Sequence, residues 1–374
     1  MKILFVTTVS NTINAFLISH IRMLVNMGHH VDIACDIAQE LNSEIEILGC
    51  KVHRMSFKRT PLNAENYYAY KQFRALCKSE GYNLIHTHTP IASVISRLAL
   101  RKEKNIKMVY TAHGFHFYKG APKQNWIIYY TIEKWLSKYT DCLITINNED
   151  HNIAQSSGFS APKVYQVNGV GISLEALKPL SLENKTIKRE SIGISKNAFV
   201  LFYAAELNHN KHQDLLIESI DILKDKIPSI KLLLAGEGPM ASDYQTLVNK
   251  KNLQSHIEFL GYRKDVPDLL NIADVAVSSS RREGLPVNVM EAMAMGLPVV
   301  ATDCRGHRDL ISNNENGILA DKDSPYMFAD AILKLFESDK LRNTYGSNNE
   351  EKIKNYSIEY VLKQMREIYN QFLL

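Results

Sequence analysis

Glu283 and Glu291 stand eight residues apart in the segment Arg281–Thr302, and what separates them decides what they could do. Pro286 suits the first turn of a helix, where its missing N–H costs nothing. The N–H groups of Leu285, Val287 and Asn288 would then project from the helix start, with the positive end of the dipole behind them, and favour an anion. One carboxylate lies before this helix and the other on its second turn, so both can reach a ligand spanning the start. An ionised carboxylate only accepts hydrogen bonds, which suits vicinal hydroxyls of a ribose or another sugar. On position alone, two solvated acids complementing the helix dipole explain the pattern equally well.

Other candidates are weaker. His113 follows the apolar run Met108–Thr111, which places it at the carboxyl end of a strand, and near neutral pH its imidazole can donate or accept a hydrogen bond. Lys211 by itself reads as a solvated lysine. His86 and His88 invite a metal, but no third ligand follows at a recognisable spacing. The turn Gly236–Pro239 reads as a tight turn only. No Gly-x-Gly-x-x-Gly follows the first apolar run, which argues against a dinucleotide oxidoreductase.

The elements that must position these residues alternate twice. Strand-length apolar runs occur at Lys2–Thr7, Val31–Ala34, Leu84–His86, Met108–Thr111, Cys142–Ile146 and Val164–Val167. A second series comprises Phe199–Ala204, Lys231–Ala235, Ile257–Phe259, Val275–Val277, Val299–Ala301 and Gly317–Leu319. Apolar strands separated by amphipathic helices imply parallel sheets covered on both faces. The expected fold class is therefore α/β, with two doubly wound Rossmann-like domains, 1–176 and 189–357. Residues 177–188, polar and aperiodic around Pro179, read as the linker. A closing helix within 358–374 is expected to pack back on the first domain. Ligands of such sheets lie beyond the carboxyl ends of the strands, so two facing domains would form a central cleft.

Composition bounds the rest. The chain has 374 residues, 45% hydrophobic and 22% charged, a globular profile that fits two domains. No apolar run approaches the ~20 residues that cross a bilayer. The apolar start ends too early, at Thr7 and Thr8, for a signal peptide, and a cytoplasmic location is expected. Five scattered cysteines show no zinc or dithiol spacing. Residues 1–180 carry 20 Lys+Arg against 13 Asp+Glu, a balance of +7, and residues 181–374 carry 24 against 27, a balance of −3. This suggests different partners for the two halves and is too mild for nucleic acid.

The Glu283/Glu291 pair, with Gly284-Leu-Pro and Gly296–Thr302 around it, resembles retaining glycosyltransferases of family 4 with the GT-B architecture. So do Thr111–Phe117, His86–Pro90, Asp141–Asn147 with Glu149 and Asp150, Asn168–Ile172, and Gly261 followed by Asp265–Pro267. The likeness spans nearly the whole chain and is to members that build capsule, exopolysaccharide or O-antigen. It implies that Glu291 holds the nucleotide ribose and that Glu283 faces the transferred sugar beside Gly284 and Leu285. By the same resemblance Lys211 sits on the donor diphosphate, His113 contacts the donor sugar and the Asp265 turn borders the base.

Two departures stand out. Glu206 occupies the place of a usual arginine five residues before Lys211, so either Glu206 turns away from the phosphates or another cation, Arg281 or Arg282 as candidates, takes over. The first loop has Thr8–Thr12 where the family often has a glycine pair, leaving Ser10, Asn11 or Thr12 for phosphates or acceptor.

The activity implied is transfer from a nucleotide-sugar, a UDP-sugar in first place, to a polyprenyl-diphosphate-linked glycan. Retention, no cofactor and no metal ion are expected. A binding protein that has lost this activity is the alternative that Glu206 raises. Aromatic residues over 115–135, lysines among them, and a basic helix near Ser96–Lys107 suggest that the first domain rests on an anionic inner membrane face, and aromatics packed in the core with solvated lysines account for the same stretch almost as well.

Overall fold

The computed structural model describes residues 1–61 and 63–373, and forms two compact units. One comprises Met1–Gly171 together with the chain from Ile358 onward, and the other Ile172–Ser357.

The first unit holds a seven-stranded sheet ordered β3-β2-β1-β4-β5-β6-β7. Its strands are β1 (Lys2–Val9), β2 (His30–Asp36), β3 (Val52–Arg54), β4 (Leu84–Thr87), β5 (Lys107–Ala112), β6 (Cys142–Thr145) and β7 (Lys163–Gln166). All pairs are parallel, so helices must cover both faces, and the central strands are buried along almost their whole length. Leu4, Val6, Phe73 and Ile85 pack in one core layer, and Tyr110, Phe117 and Leu143 in another.

The second unit repeats the plan with six parallel strands ordered β10-β9-β8-β11-β12-β13. These are β8 (Phe199–Ala204), β9 (Ile230–Ala235), β10 (Ile257–Gly261), β11 (Val275–Ser278), β12 (Val299–Thr302) and β13 (Gly317–Ala320). Its core gathers Leu201, Tyr203, Leu216, Leu232, Phe328 and Ile332. The closing helix, Ile358–Leu373, belongs to the first unit.

One strand was missed and two expectations are corrected. β3 has no apolar run to betray it, because Val-His-Arg lies at a sheet edge with Val52 exposed. The stretch 177–188 is not a linker throughout, since a helix runs from Leu182 to Ser191. That helix has no apolar period to detect because polar anchors hold it. Ser181 accepts from Asn184 N at its start, Arg189 pairs with Asp274 at 2.6 Å, and Lys185 with the same carboxylate at 3.0 Å. Finally, the basic stretch 96–107 is not one helix. The helix is Pro90–Ala99, and Arg97 within it is buried, paired with Glu133 at 2.8 Å and stacked on Tyr110.

Candidate active site

The second unit brings Lys211 and Glu283 together although 72 residues separate them, with Lys211 Nζ 2.6 Å from Glu283 Oε1. Each sits in a loop at the carboxyl end of a strand, Lys211 after β8 and Glu283 after β11. One backbone and one side-chain hydrogen bond staple the two loops: Arg281 N donates to Asn210 O (2.8 Å) and Asn210 Nδ2 to Arg282 O (3.0 Å). Ser279 Oγ donates to Lys211 O at 2.7 Å. From the other side the turn after β9 presses on the first loop. A Cβ on Gly236, at φ +146°, would lie 2.0 Å from Ala205 O, so glycine is required there. The turn that read as simply tight is a clamp.

Burial alone would discharge both members of the pair. It pushes the Lys211 ammonium down and the Glu283 carboxyl up. Their mutual attraction outweighs it, so Lys211 ends above its usual range and Glu283 below. At neutral pH the pair is ionic.

After Glu283 and Gly284 the helix Val287–Ala294 begins, one residue later than the sequence suggested, with Pro286 as its cap residue. No side chain caps it, so the first-turn N–H groups keep their affinity for an anion. Leu285 and Pro286 are buried and Val287 half-buried, which fixes the turn by packing. The carboxylate of Glu291, on the second turn of this helix, has no hydrogen-bond or ion-pair partner among the described residues. Burial pushes its carboxyl up to about 7.

Sequence reasoning missed Arg305. Its guanidinium, 5% exposed, donates through Nε to Glu283 O at 2.9 Å. A Cβ on the neighbouring Gly306 would come 2.7 Å from Gly284 O, so the turn after β12 lies directly against the Glu283 turn. His307, also buried, bonds Ser278 Oγ (2.9 Å) and Thr302 O (2.7 Å). The one signal available was an arginine–glycine pair just beyond a strand, which any turn could supply.

The other expected residues divide. Arg281 is committed to His212 (3.0 Å) and Asp323 (3.3 Å). Arg282, half-buried, makes no side-chain hydrogen bond or ion pair with the described residues. Glu206 is exposed and only its carbonyl is used, by Gln213 Nε2, so its charge is spent in solvent. Asp265 forms a two-pronged pair with Arg263 at the start of the helix Val266–Ile272.

In the first unit, His113 follows β5 as expected, and its Nε2 shares a 3.1 Å hydrogen bond with His88 Nδ1. Burial, then the neighbouring His20, lower its pKa to about 4, so the ring is neutral at pH 7. His86 lies beneath, bonded to Thr111 and to Tyr369 of the closing helix. Among the described residues no group of three His, Cys, Asp or Glu side chains is placed to hold a metal ion. The expected first loop is instead strand to Val9 and helix from Ser10; Ser10 and Asn11 are tied to Gln39, whereas Thr12 lines a surface hollow.

The family model for glycosyltransferase family 4 matches residues 13–170, and that for glycosyl transferases group 1 matches residues 184–352. EpsD of Bacillus subtilis, named as a glycosyltransferase, is 38% identical over 374 residues, covering 100% of this chain and 97% of EpsD. The Escherichia coli UDP-Gal:alpha-D-GlcNAc-diphosphoundecaprenol alpha-1,3-galactosyltransferase is 28% identical over 79% of this chain and 76% of its own. Among solved structures, Anabaena HepE in complex with UDP and glucose superposes with a TM-score of 0.82 at 19% identity, covering 99% of this chain and 100% of that one.

Proposed function

The chain belongs to glycosyltransferase family 4, and from that premise we propose that it moves a sugar from a UDP-sugar to a hydroxyl of a polyprenyl-diphosphate-linked glycan in polysaccharide synthesis. The observation that carries the reading is the ionic Lys211–Glu283 pair beside an uncapped helix start, with the Glu291 carboxylate one turn further on. The E. coli relative's donor and lipid-linked acceptor support the choice of substrates.

In this reading the donor diphosphate takes the positive end of the helix Val287–Ala294 together with Lys211 and Arg282. Glu291 accepts from the ribose hydroxyls. Glu283, no longer needed by Lys211 once phosphate arrives, turns to a hydroxyl of the transferred sugar. His113 offers a neutral imidazole to a sugar hydroxyl. The bond from the anomeric carbon to phosphate oxygen breaks, the acceptor oxygen attaches on the same face, and its proton passes to the departing diphosphate. Configuration is retained and no metal ion takes part. Charge develops on the leaving oxygen, so preorganised positive potential is the main catalytic requirement.

A thermal-shift series with UDP-, GDP- and ADP-sugars tests the donor. Specific binding stabilises by RT ln(1 + [L]/Kd), about 2.7 kcal/mol at a hundredfold excess over Kd. UDP-sugars should raise the melting temperature most, and no shift with any of the three would overturn the reading.

We also place the protein at an anionic membrane face. The structure buries Phe115 and Phe117 and leaves Ile127 (69% exposed), Ile128, Ile132 and Trp135 (46%) outside, with Lys134 and Lys138 beside them. Flotation with anionic vesicles should recover more protein than with neutral ones, and the difference should shrink as salt rises. Equal recovery at low salt removes the electrostatic part.

A further inference from the structure

The first unit contains a cavity that the donor chemistry does not use. It measures about 150 Å³ and lies between the helix Pro90–Ala99, through Ile91, Val94 and Ile95, and the rings of Phe115 and Phe117, with Ile132 at its edge. Its one acidic side chain, Glu133, is neutralised by Arg97. Through Pro90, Ile91, His116 and Tyr129 the cavity shares its wall with an open hollow of about 380 Å³, whose other lining includes Thr8, Thr12, Arg59 and Thr89. The two adjoin across these residues as an amphiphilic pair, the inner cavity apolar and the outer hollow adding three threonine hydroxyls and a cation to its apolar wall.

The mouth is built rather than incidental. Thr89 holds φ +30°, a conformation costly for a β-branched residue. Its hydroxyl accepts from Thr8 N (2.9 Å) and meets the Thr8 hydroxyl at 2.8 Å. Arg59 is exposed beside them, and a guanidinium fork matches two phosphate oxygens. At the deep end, an apolar cavity of about 150 Å³ takes a molecule the size of benzene, and a five-carbon isoprene unit is of that size. Tyr129 and Ile132, which line the cavity, continue on the surface into the exposed Ile127 and Ile128, so a longer chain has an apolar path outward.

We infer that this site holds an isoprenyl diphosphate, with the first isoprene unit among Ile91, Val94, Ile95 and the two phenylalanines and the diphosphate at Arg59, Thr89 and Thr8. The inference rests on the reading of the acceptor as a lipid-linked glycan and identifies where its lipid end binds.

Calorimetric titration of the whole chain with farnesyl diphosphate, farnesol and inorganic pyrophosphate tests it. Farnesyl diphosphate should bind saturably and at least about tenfold more tightly than either half alone. Val94→Trp, which fills the cavity, should weaken farnesyl diphosphate about tenfold or more, and Ile132→Glu, at a half-exposed position on the rim, should do the same if the first variant does not fold. Arg59→Gln should weaken farnesyl diphosphate about threefold to tenfold and leave farnesol unchanged. The melting shift produced by UDP should be unaltered in all three variants. Farnesyl diphosphate that does not bind, binds no better than pyrophosphate, or binds the rim and cavity variants as it binds the unaltered chain overturns the proposal. If UDP shifts the melt while farnesyl diphosphate fails, this site is wrong and glycosyl transfer stands. If farnesyl diphosphate binds as described while UDP gives no shift, the site stands and the donor reading falls.

Discussion

Glu291 is the residue whose surroundings make the sharpest claim about solution behaviour. Burial pushes its carboxyl from an ordinary 4.5 up to about 7, so between those values the folded protein holds a proton that the unfolded chain has lost. Stability must then fall as pH rises through that window, by about 2 kcal/mol once partial solvent contact is allowed for. Glu291→Gln removes the effect. Its melting temperature should exceed that of the unaltered protein at pH 8 and match it at pH 4.5, while donor affinity drops at both. A variant no more stable at pH 8 would mean that the carboxylate is already well solvated. The same group shows what sequence could convey at this scale. The spacing of Glu283 and Glu291 around Pro286 marked them, but nothing in the spacing distinguished the one that pairs with Lys211 from the one left without a partner. Arg305 escaped because its importance comes from folding: the turn after β12 lies on Glu283 only when strands β11 and β12 pair in register, Ser278 with Ala301.

Close approaches of backbone to backbone set the geometry of these loops, and glycines permit them. Gly306 sits in the helix Arg305–Leu310, where its lack of a side chain admits Gly284 O. Gly306→Ala puts a methyl group 2.7 Å from that oxygen, and the Glu283 turn has to move. Stability should fall modestly, by about 1–3 kcal/mol, but turnover should fall about tenfold to a hundredfold because catalytic groups tolerate little displacement. Turnover and melting measured on the same preparation check this. Unchanged turnover would mean that the turn can shift without consequence. At this scale the strands were legible because continuously buried apolar runs leave a strong trace, and β8 was placed to the residue. The helix Leu182–Ser191 and strand β3 were not, since the first is held by ion pairs and the second lies at an edge, and neither carries an apolar period. The aromatic stretch 115–135 was legible as aromatic but not as divided. Packing on β5 and β6 decides that Phe115 and Phe117 turn inward while Ile127 and Ile128 remain outside.

The chain as a whole is organised so that its last helix completes its first unit. Val361, Met365, Ile368 and Tyr369 are buried, Gln364 accepts from Asn168 N at 3.1 Å, and Tyr369 bonds His86. Gly171, at φ +79°, lets the chain pass Ile358, whose Cα a Cβ there would meet at 2.7 Å. At about 1.5–3 kcal/mol for each large buried side chain, the four contribute roughly 6–12 kcal/mol as an upper estimate. That is comparable to the whole stability of a domain, about 5–15 kcal/mol. A chain ending at Ser357 should therefore lose the folded first unit, whereas residues 172–357 keep their own sheet and core. Calorimetry of this shortened chain should show one remaining cooperative transition with a reduced total enthalpy, together with a hydrophobic-dye signal from exposed apolar surface. Were the enthalpy undiminished and the dye silent, residues 1–171 would be self-sufficient, and the buried face of the last helix would have to be counted as a surface cover and not as part of the core.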